Sequence, residues 1–167
     1  MIQVSDLEKI DTKSMFKIYD ECPEIARKAF ETKFAKFDAK NIDHIVFAGM
    51  GGSGSIGDTI NGFLSKQDIH VSIVKGYLLP NTVDANTLVV ATSFSGNTEE
   101  TLEILKSTKK TEANIIGFSS GGLLQKYCEN NNIFFQNIPM VHSPRSSFTR
   151  FLYSGPSSYS SSSVKSP

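Results

Sequence analysis

The chain has 167 residues, enough for one domain with a sizeable core. Its 17 Lys and Arg balance 17 Asp and Glu, so the net charge is zero. That balance argues against partners recruited by bulk charge, and neither nucleic acid nor a membrane is expected.

The first residues, Met1 to Asp6, carry no basic start and no apolar run of the kind a signal peptide needs. No apolar stretch approaches the length that spans a bilayer. Cys22 and Cys128 lie far apart without metal-ligand spacing, so free thiols in a reducing compartment are expected. A soluble cytoplasmic protein is expected, with no metal and no cofactor.

From the N-terminus, Ile10 to Asp20 reads as a helix with Met15, Ile18 and Tyr19 as its apolar stripe. Pro23 suits the first turn of a second helix, running to about Asp38. Ile25, Ala29, Phe30, Phe34 and Phe37 recur along it at helical spacing. The two helices are expected to cover a sheet or form a dimer contact.

The first clear strand is Ile42–Ala48, and it runs into Gly49-Met50-Gly51-Gly52-Ser53-Gly54-Ser55-Ile56-Gly57-Asp58. Five glycines in nine positions weaken a helix, each by up to about 1 kcal/mol. Their use is to let backbone approach backbone or ligand. A helix with Ile56, Ile60, Phe63 and Leu64 follows, then a strand over Ile69–Val74. Gly49-x-Gly51-x-x-Gly54 formally matches a dinucleotide fingerprint, but Lys75-Gly76-Tyr77 stands where a ribose-binding acid belongs. No Lys-Ser or Lys-Thr closes the loop as in a Walker A motif. His44, His70 and His142 are taken as surface residues.

Thr87-Leu88-Val89-Val90 is a buried strand leading into Ala91-Thr92-Ser93-Phe94-Ser95-Gly96-Asn97-Thr98-Glu99-Glu100. Leu102, Ile104 and Leu105 mark the helix after it. Asn97 with Glu100 fits a capping box at its start. A helix start offers unpaired N–H groups and partial positive charge. With Ser93, Ser95 and Thr98 it forms a donor-rich cup suited to a phosphate. An ordinary capped turn needs one hydroxyl rather than three, and the pattern alone leaves both readings open.

Asn114–Phe118 is a fourth strand, followed by Ser119-Ser120-Gly121-Gly122 and a short helix with Leu123, Leu124 and Tyr127. Ile133-Phe134-Phe135 is a fifth strand. Strands alternating with helices at this spacing imply an α/β fold with a parallel sheet. Ligands in such a sheet sit beyond the carboxyl ends of the strands, where both small-residue loops lie.

Gly49-Met50-Gly51-Gly52-Ser53-Gly54 together with Ser93-Phe94-Ser95-Gly96-Asn97-Thr98-Glu99-Glu100-Thr101 resembles a sugar isomerase (SIS) domain. More narrowly, the chain resembles the first half of the archaeal-type bifunctional phosphoglucose/phosphomannose isomerases over roughly residues 35 to 152. Ser143-Pro144-Arg145 resembles the Pro-Arg segment after that family's last strand. The resemblance implies a three-layer α-β-α sandwich on a five-stranded, doubly wound parallel sheet, with the N-terminal helices (residues 1–38) packed on it as part of the same domain. The SIS domain itself is expected over residues 39–152.

The resemblance also implies roles. Ser93, Ser95 and Thr98 would hold the phosphate of a hexose 6-phosphate. Gly52 and Ser53 would border the sugar with their backbone amides. Arg145 would stabilise an enediolate during aldose–ketose isomerisation of glucose or mannose 6-phosphate to fructose 6-phosphate. From the residues alone, Arg145 reads as a surface cation after a proline. Phe94 replaces a family tyrosine, which matters little if the ring packs inward. Family members pair as homodimers and carry a second SIS domain, which supplies the catalytic glutamate base and a ring-opening histidine. This chain has eight serines in its last fourteen residues instead, and residues 153–167 are expected to be a disordered tail. A truncated isomerase chain is therefore expected, with a non-catalytic sugar-phosphate sensing module as the alternative.

Overall fold

The computed structural model describes residues 3–32, 37, 39 and 41–154. Five strands, β1 (His44–Ala48), β2 (His70–Val74), β3 (Thr87–Ser93), β4 (Asn114–Ser119) and β5 (Phe134–Asn137), form one parallel sheet in the order β2-β1-β3-β4-β5. Every residue of β1 and β3 is buried, which is why both read as continuous apolar runs without alternation. The two run in register, from His44 opposite Thr87 to Ala48 opposite Ala91.

Helices cover both faces. The helices α4 (Gly51–Leu64) and α7 (Phe148–Ser154) place Ile56, Ile60 and Phe151 against Phe47, Val90 and Phe118. On the other face, Ile104 of α5 (Glu99–Ser107) packs on Val46 and Val89. Leu124 and Cys128 of α6 (Gly122–Asn130) pack on Ala91. Burial pushes the Cys128 thiol up to about 12, so it is an inert core residue. The expected three-layer doubly wound sandwich is the observed one. Gly57 allows α4 to lie close to β1, since a Cβ there would stand 2.7 Å from Phe47 Cβ.

The N-terminal segment differs from its expectation. It forms α1 (Val4–Ile10), α2 (Met15–Asp20) and α3 (Cys22–Glu31). Between the first two, the Asp11 carboxylate accepts the Phe16 N–H at 2.8 Å, and Ser14 is left-handed at φ 53°. That side-chain cap stops one helix and starts the next, so a single helix over Ile10–Asp20 does not form. Helix α3 packs mainly on α7, burying Ala29 and leaving Phe30 69% exposed. Phe63, expected on the apolar stripe of α4, is 74% exposed. Helix α3 stops at Glu31, where Thr32 turns extended at ψ 120°, and Phe37 is non-helical with its ring 5.2 Å from Phe134, so the expected helix to Asp38 does not form. Phe34, Asp38 and the tail from Gly155 lie outside the described residues. Helix α7, which the sequence did not suggest, carries the chain through Tyr153 and Ser154. No helix among the described residues is long and apolar enough to cross a membrane.

His44 is not a surface residue. It is 5% exposed at the amino edge of the sheet, in register with His70 on one side and Thr87 on the other. The Nε2 atoms of His44 and His70 meet the same Ser72 hydroxyl, at 2.9 and 3.2 Å. Their ring centroids are 4.6 Å apart. Burial, and then repulsion from His70, hold the His44 pKa below its ordinary 6.5; the nearby Asp84 and Asp43 oppose this only in part. The unfolded chain therefore takes up a proton at His44 before the folded one does. Stability is complete above about pH 6.5 and falls as the pH drops below it. The expected result is a melting temperature that declines between pH 7 and 5. In His44→Gln that decline flattens, and an unchanged slope would show that this pair does not govern it.

Candidate functional site

In a doubly wound sheet the crevice forms where successive connections diverge. Here the chain leaves β1 toward β2 and leaves β3 toward β4, so the divergence falls between neighbouring β1 and β3. The glycine loop follows β1 and the hydroxyl loop follows β3. They touch: the Phe94 N–H donates to Ser53 Oγ at 3.3 Å. Gly49 permits the approach, since a Cβ on it would lie 2.8 Å from the Thr92 carbonyl oxygen. The glycines do bring backbone to backbone, as their density in the sequence implied.

The hydroxyl loop is built from its own side chains. Ser93, 1% exposed, accepts the Gly96 N–H at 3.0 Å and bonds Thr98 Oγ1 at 2.7 Å. Ser95 is exposed, and its oxygen accepts the Asn97 N–H at 3.2 Å. Gly96 takes φ +69°, a left-handed conformation open to glycine at little cost. Helix α5 then starts at Glu99 with Thr98 as its N-cap residue and no side-chain cap. The first bond of the helix is Leu102 N–H to Thr98 O, so the amides of Glu99, Glu100 and Thr101 have no helical acceptor. The Thr101 hydroxyl in that turn is 1% exposed and lacks a hydrogen-bond partner among the described residues.

Asn97 does not cap α5. Its Oδ1 accepts the Leu123 N–H at 3.0 Å and so caps α6, the neighbouring helix. Glu100 does not complete a capping box either; its negative charge is the main cause that holds the Tyr77 phenol above the ordinary 10. A third loop, Ser119–Gly122 after β4, braces the cup. Ser120 donates its hydroxyl to Phe94 O at 2.6 Å, and Leu124 N–H donates to Gly96 O at 2.8 Å. The sequence signal for this brace was the second serine–glycine cluster, Ser119-Ser120-Gly121-Gly122.

Arg145 stands on a serine-built turn. Ser143 N–H donates to Ser146 Oγ at 3.0 Å, Ser147 Oγ donates to Ser143 O at 2.7 Å, and Val141 N–H donates to Ser147 Oγ at 2.9 Å. Ser146 and Ser147 are buried, so the turn is fixed to the body of the domain. His142 bonds the Lys13 carbonyl at 2.8 Å, which ties the same segment to the N-terminal helices. Arg145 opens into a cleft of about 370 Å³ lined also by Gly52, Ser55, Phe94, Pro144 and Phe148.

Arg145 and Gly52 thus share one cleft. Phe94, packed inward at 6% exposure and 4.2 Å from the Phe151 ring, forms its wall and belongs to the cup loop as well. Ser93, Ser95 and Thr98 lie on that loop but outside the cleft lining. The backbone amide of Ser53 does not face the cleft as expected. Its N–H donates to Met50 O at 3.0 Å and its hydroxyl is taken by Phe94, because it sits in the first turn of α4, which begins at Gly51. Ser53 joins the two loops. The cleft lining contains no carboxylate and no imidazole, and no group of three His, Cys, Asp or Glu among the described residues is placed to hold a metal.

Comparison with known proteins agrees with this architecture. The chain is 38% identical over 135 residues to the bifunctional phosphoglucose/phosphomannose isomerase of Caldicellulosiruptor bescii, covering 78% of this chain and 40% of that one. It is 37% identical over 118 residues to the enzyme of the same name from Thermoplasma volcanium, covering 70% and 37%. The chain thus spans about two fifths of the length of these relatives. Among solved structures, the C-terminal domain of glucosamine-fructose-6-phosphate aminotransferase from Francisella tularensis superposes with a TM-score of 0.64 at 21% identity, over 83% of this chain and 45% of that one. That likeness is one of fold. The SIS domain profile matches residues 40–148, and the chain belongs to the SIS domain family.

Proposed function

We propose that this chain binds a hexose 6-phosphate and is the phosphate-binding part of a phosphoglucose/phosphomannose isomerase. The observation that carries the reading is the junction of the two loops, with Ser53 bonded to Phe94 at the divergence point of the sheet. Ser95, Thr98 and the amides of Glu99, Glu100 and Thr101, which have no helical acceptor, would hold the sugar's phosphate at the positive end of α5. Ser93 acts inside the loop, holding Thr98 and Gly96 in place. Arg145 and Gly52 then face the sugar carbons across the cleft. A fixed guanidinium aimed at an enediolate oxygen stabilises charge that develops only as the proton moves between C1 and C2.

Isomerisation also needs a base, and the cleft lining offers none. The expected behaviour of this chain alone is binding without turnover. A coupled assay that recorded aldose–ketose conversion would contradict this. The same observation favours a second reading, a sensing module that binds sugar phosphates without reacting them; it shares the site and differs in having no catalytic partner domain.

Binding is tested by thermal shift with fructose, glucose and mannose 6-phosphate. The wild-type chain is expected to be stabilised by about 2 to 3 kcal/mol at a hundredfold excess over Kd. The double substitution Ser95→Ala with Thr98→Ala removes the shift. A shift that survives both changes would refute the phosphate assignment.

A further inference from the structure

The cleft beside Arg145 has few polar side chains. Gly52, Phe94, Pro144 and Phe148 supply none, and Arg145 supplies a charged donor. Ser55 alone brings a neutral hydroxyl to the lining. It lies on α4, exposed, one turn beyond Gly51. Its Oγ donates to Gly51 O at 3.2 Å, long for a hydroxyl bond, whose usual distance is about 2.7 to 2.8 Å. This back-bond to the preceding turn is of the kind that helix serines exchange readily for another partner by rotating about χ1.

We infer that Ser55 is a specificity-determining residue, whose hydroxyl bonds a hydroxyl of the sugar and so separates sugar phosphates from bare phosphate. This rests on the sugar-phosphate reading of the site. An arginine can only donate, so it holds anions and acceptors of any kind. A carbon-bound hydroxyl both donates and accepts, and Ser55 is the lining side chain that matches it in both senses. The cup at the start of α5 does not include Ser55, so phosphate recognition and sugar recognition fall on different elements.

The test is calorimetric titration of the full 167-residue chain with fructose 6-phosphate and, separately, inorganic phosphate. Ser55→Ala is expected to weaken fructose 6-phosphate by about fivefold to tenfold, the loss of one neutral hydrogen bond, and to leave inorganic phosphate unchanged. Ser55→Thr keeps the hydroxyl and is expected to restore affinity to within about twofold of wild type, on the same hydrogen-bond scale. Alanine is a better helix former than serine, so the first variant folds. Wild-type binding of fructose 6-phosphate that Ser55→Ala leaves intact would overturn this inference alone. An equal loss of both ligands would overturn it as well, by assigning Ser55 to the phosphate cup. A wild-type chain that binds neither ligand would overturn the sugar-phosphate reading, and this inference with it.

Discussion

Gly96→Ala is expected to destabilise the chain by about 2 to 5 kcal/mol and to abolish sugar-phosphate binding in whatever remains folded. Two costs add. The residue sits at φ +69°, where a Cβ is strained by about 1 to 3 kcal/mol. The added Cβ would also stand only 1.8 Å from the Gly121 carbonyl oxygen and 3.2 Å from Gly122 Cα. These neighbours are backbone, not the yielding end of a side chain, so the loops must separate. Separation withdraws Gly96 O from Leu124 N–H and Phe94 O from the Ser120 hydroxyl, and the cup loses its brace. Urea unfolding and calorimetric titration read the two effects. A variant with wild-type midpoint and affinity would mean that the β3 and β4 loops are not packed as described.

Leu124→Ala provides the contrast. Leu124 is fully buried, packed with Ala91, Leu105 and Cys128 between α6 and the sheet. Truncation leaves a cavity and is expected to cost about 2 to 5 kcal/mol. Its backbone N–H still donates to Gly96 O, so the cup is retained. The folded fraction is then expected to bind fructose 6-phosphate with unchanged Kd, despite a large loss in the urea midpoint. A weakened Kd at full stability would reverse the roles given to side chain and backbone here. Together the two variants separate the integrity of the fold from the geometry of the site.

The strands were legible because they are buried on both faces. His44–Ala48 and Thr87–Ser93 have no solvent side, so apolar residues run on without a break and stand out from the loops around them. The loop after β3 was legible because three hydroxyls and a glycine in six residues exceed what a turn requires. Helix α7 was not legible, since Phe148–Ser154 is short and its burial comes from α3 and α4, which are distant in sequence. Nor was the burial of His44: its partners Ser72 and Thr87 are 28 and 43 residues away.

Asn97 marks the boundary between the two kinds of information. Its position before Glu99 and Glu100 satisfied every local rule for capping α5, yet its side chain caps α6. Local rules count the donors within reach along the chain, and here the amide of Leu123 arrives from another element. By itself the sequence determined the alternation of the five strands with the helices between them, and the two small-residue loops that meet at the switch point. Only the tertiary structure decided which of their hydroxyls and amides stay free for a ligand. Ser53 Oγ accepts the Phe94 N–H and Ser93 Oγ bonds Thr98 Oγ1, and these commitments depend on contacts that no spacing encodes.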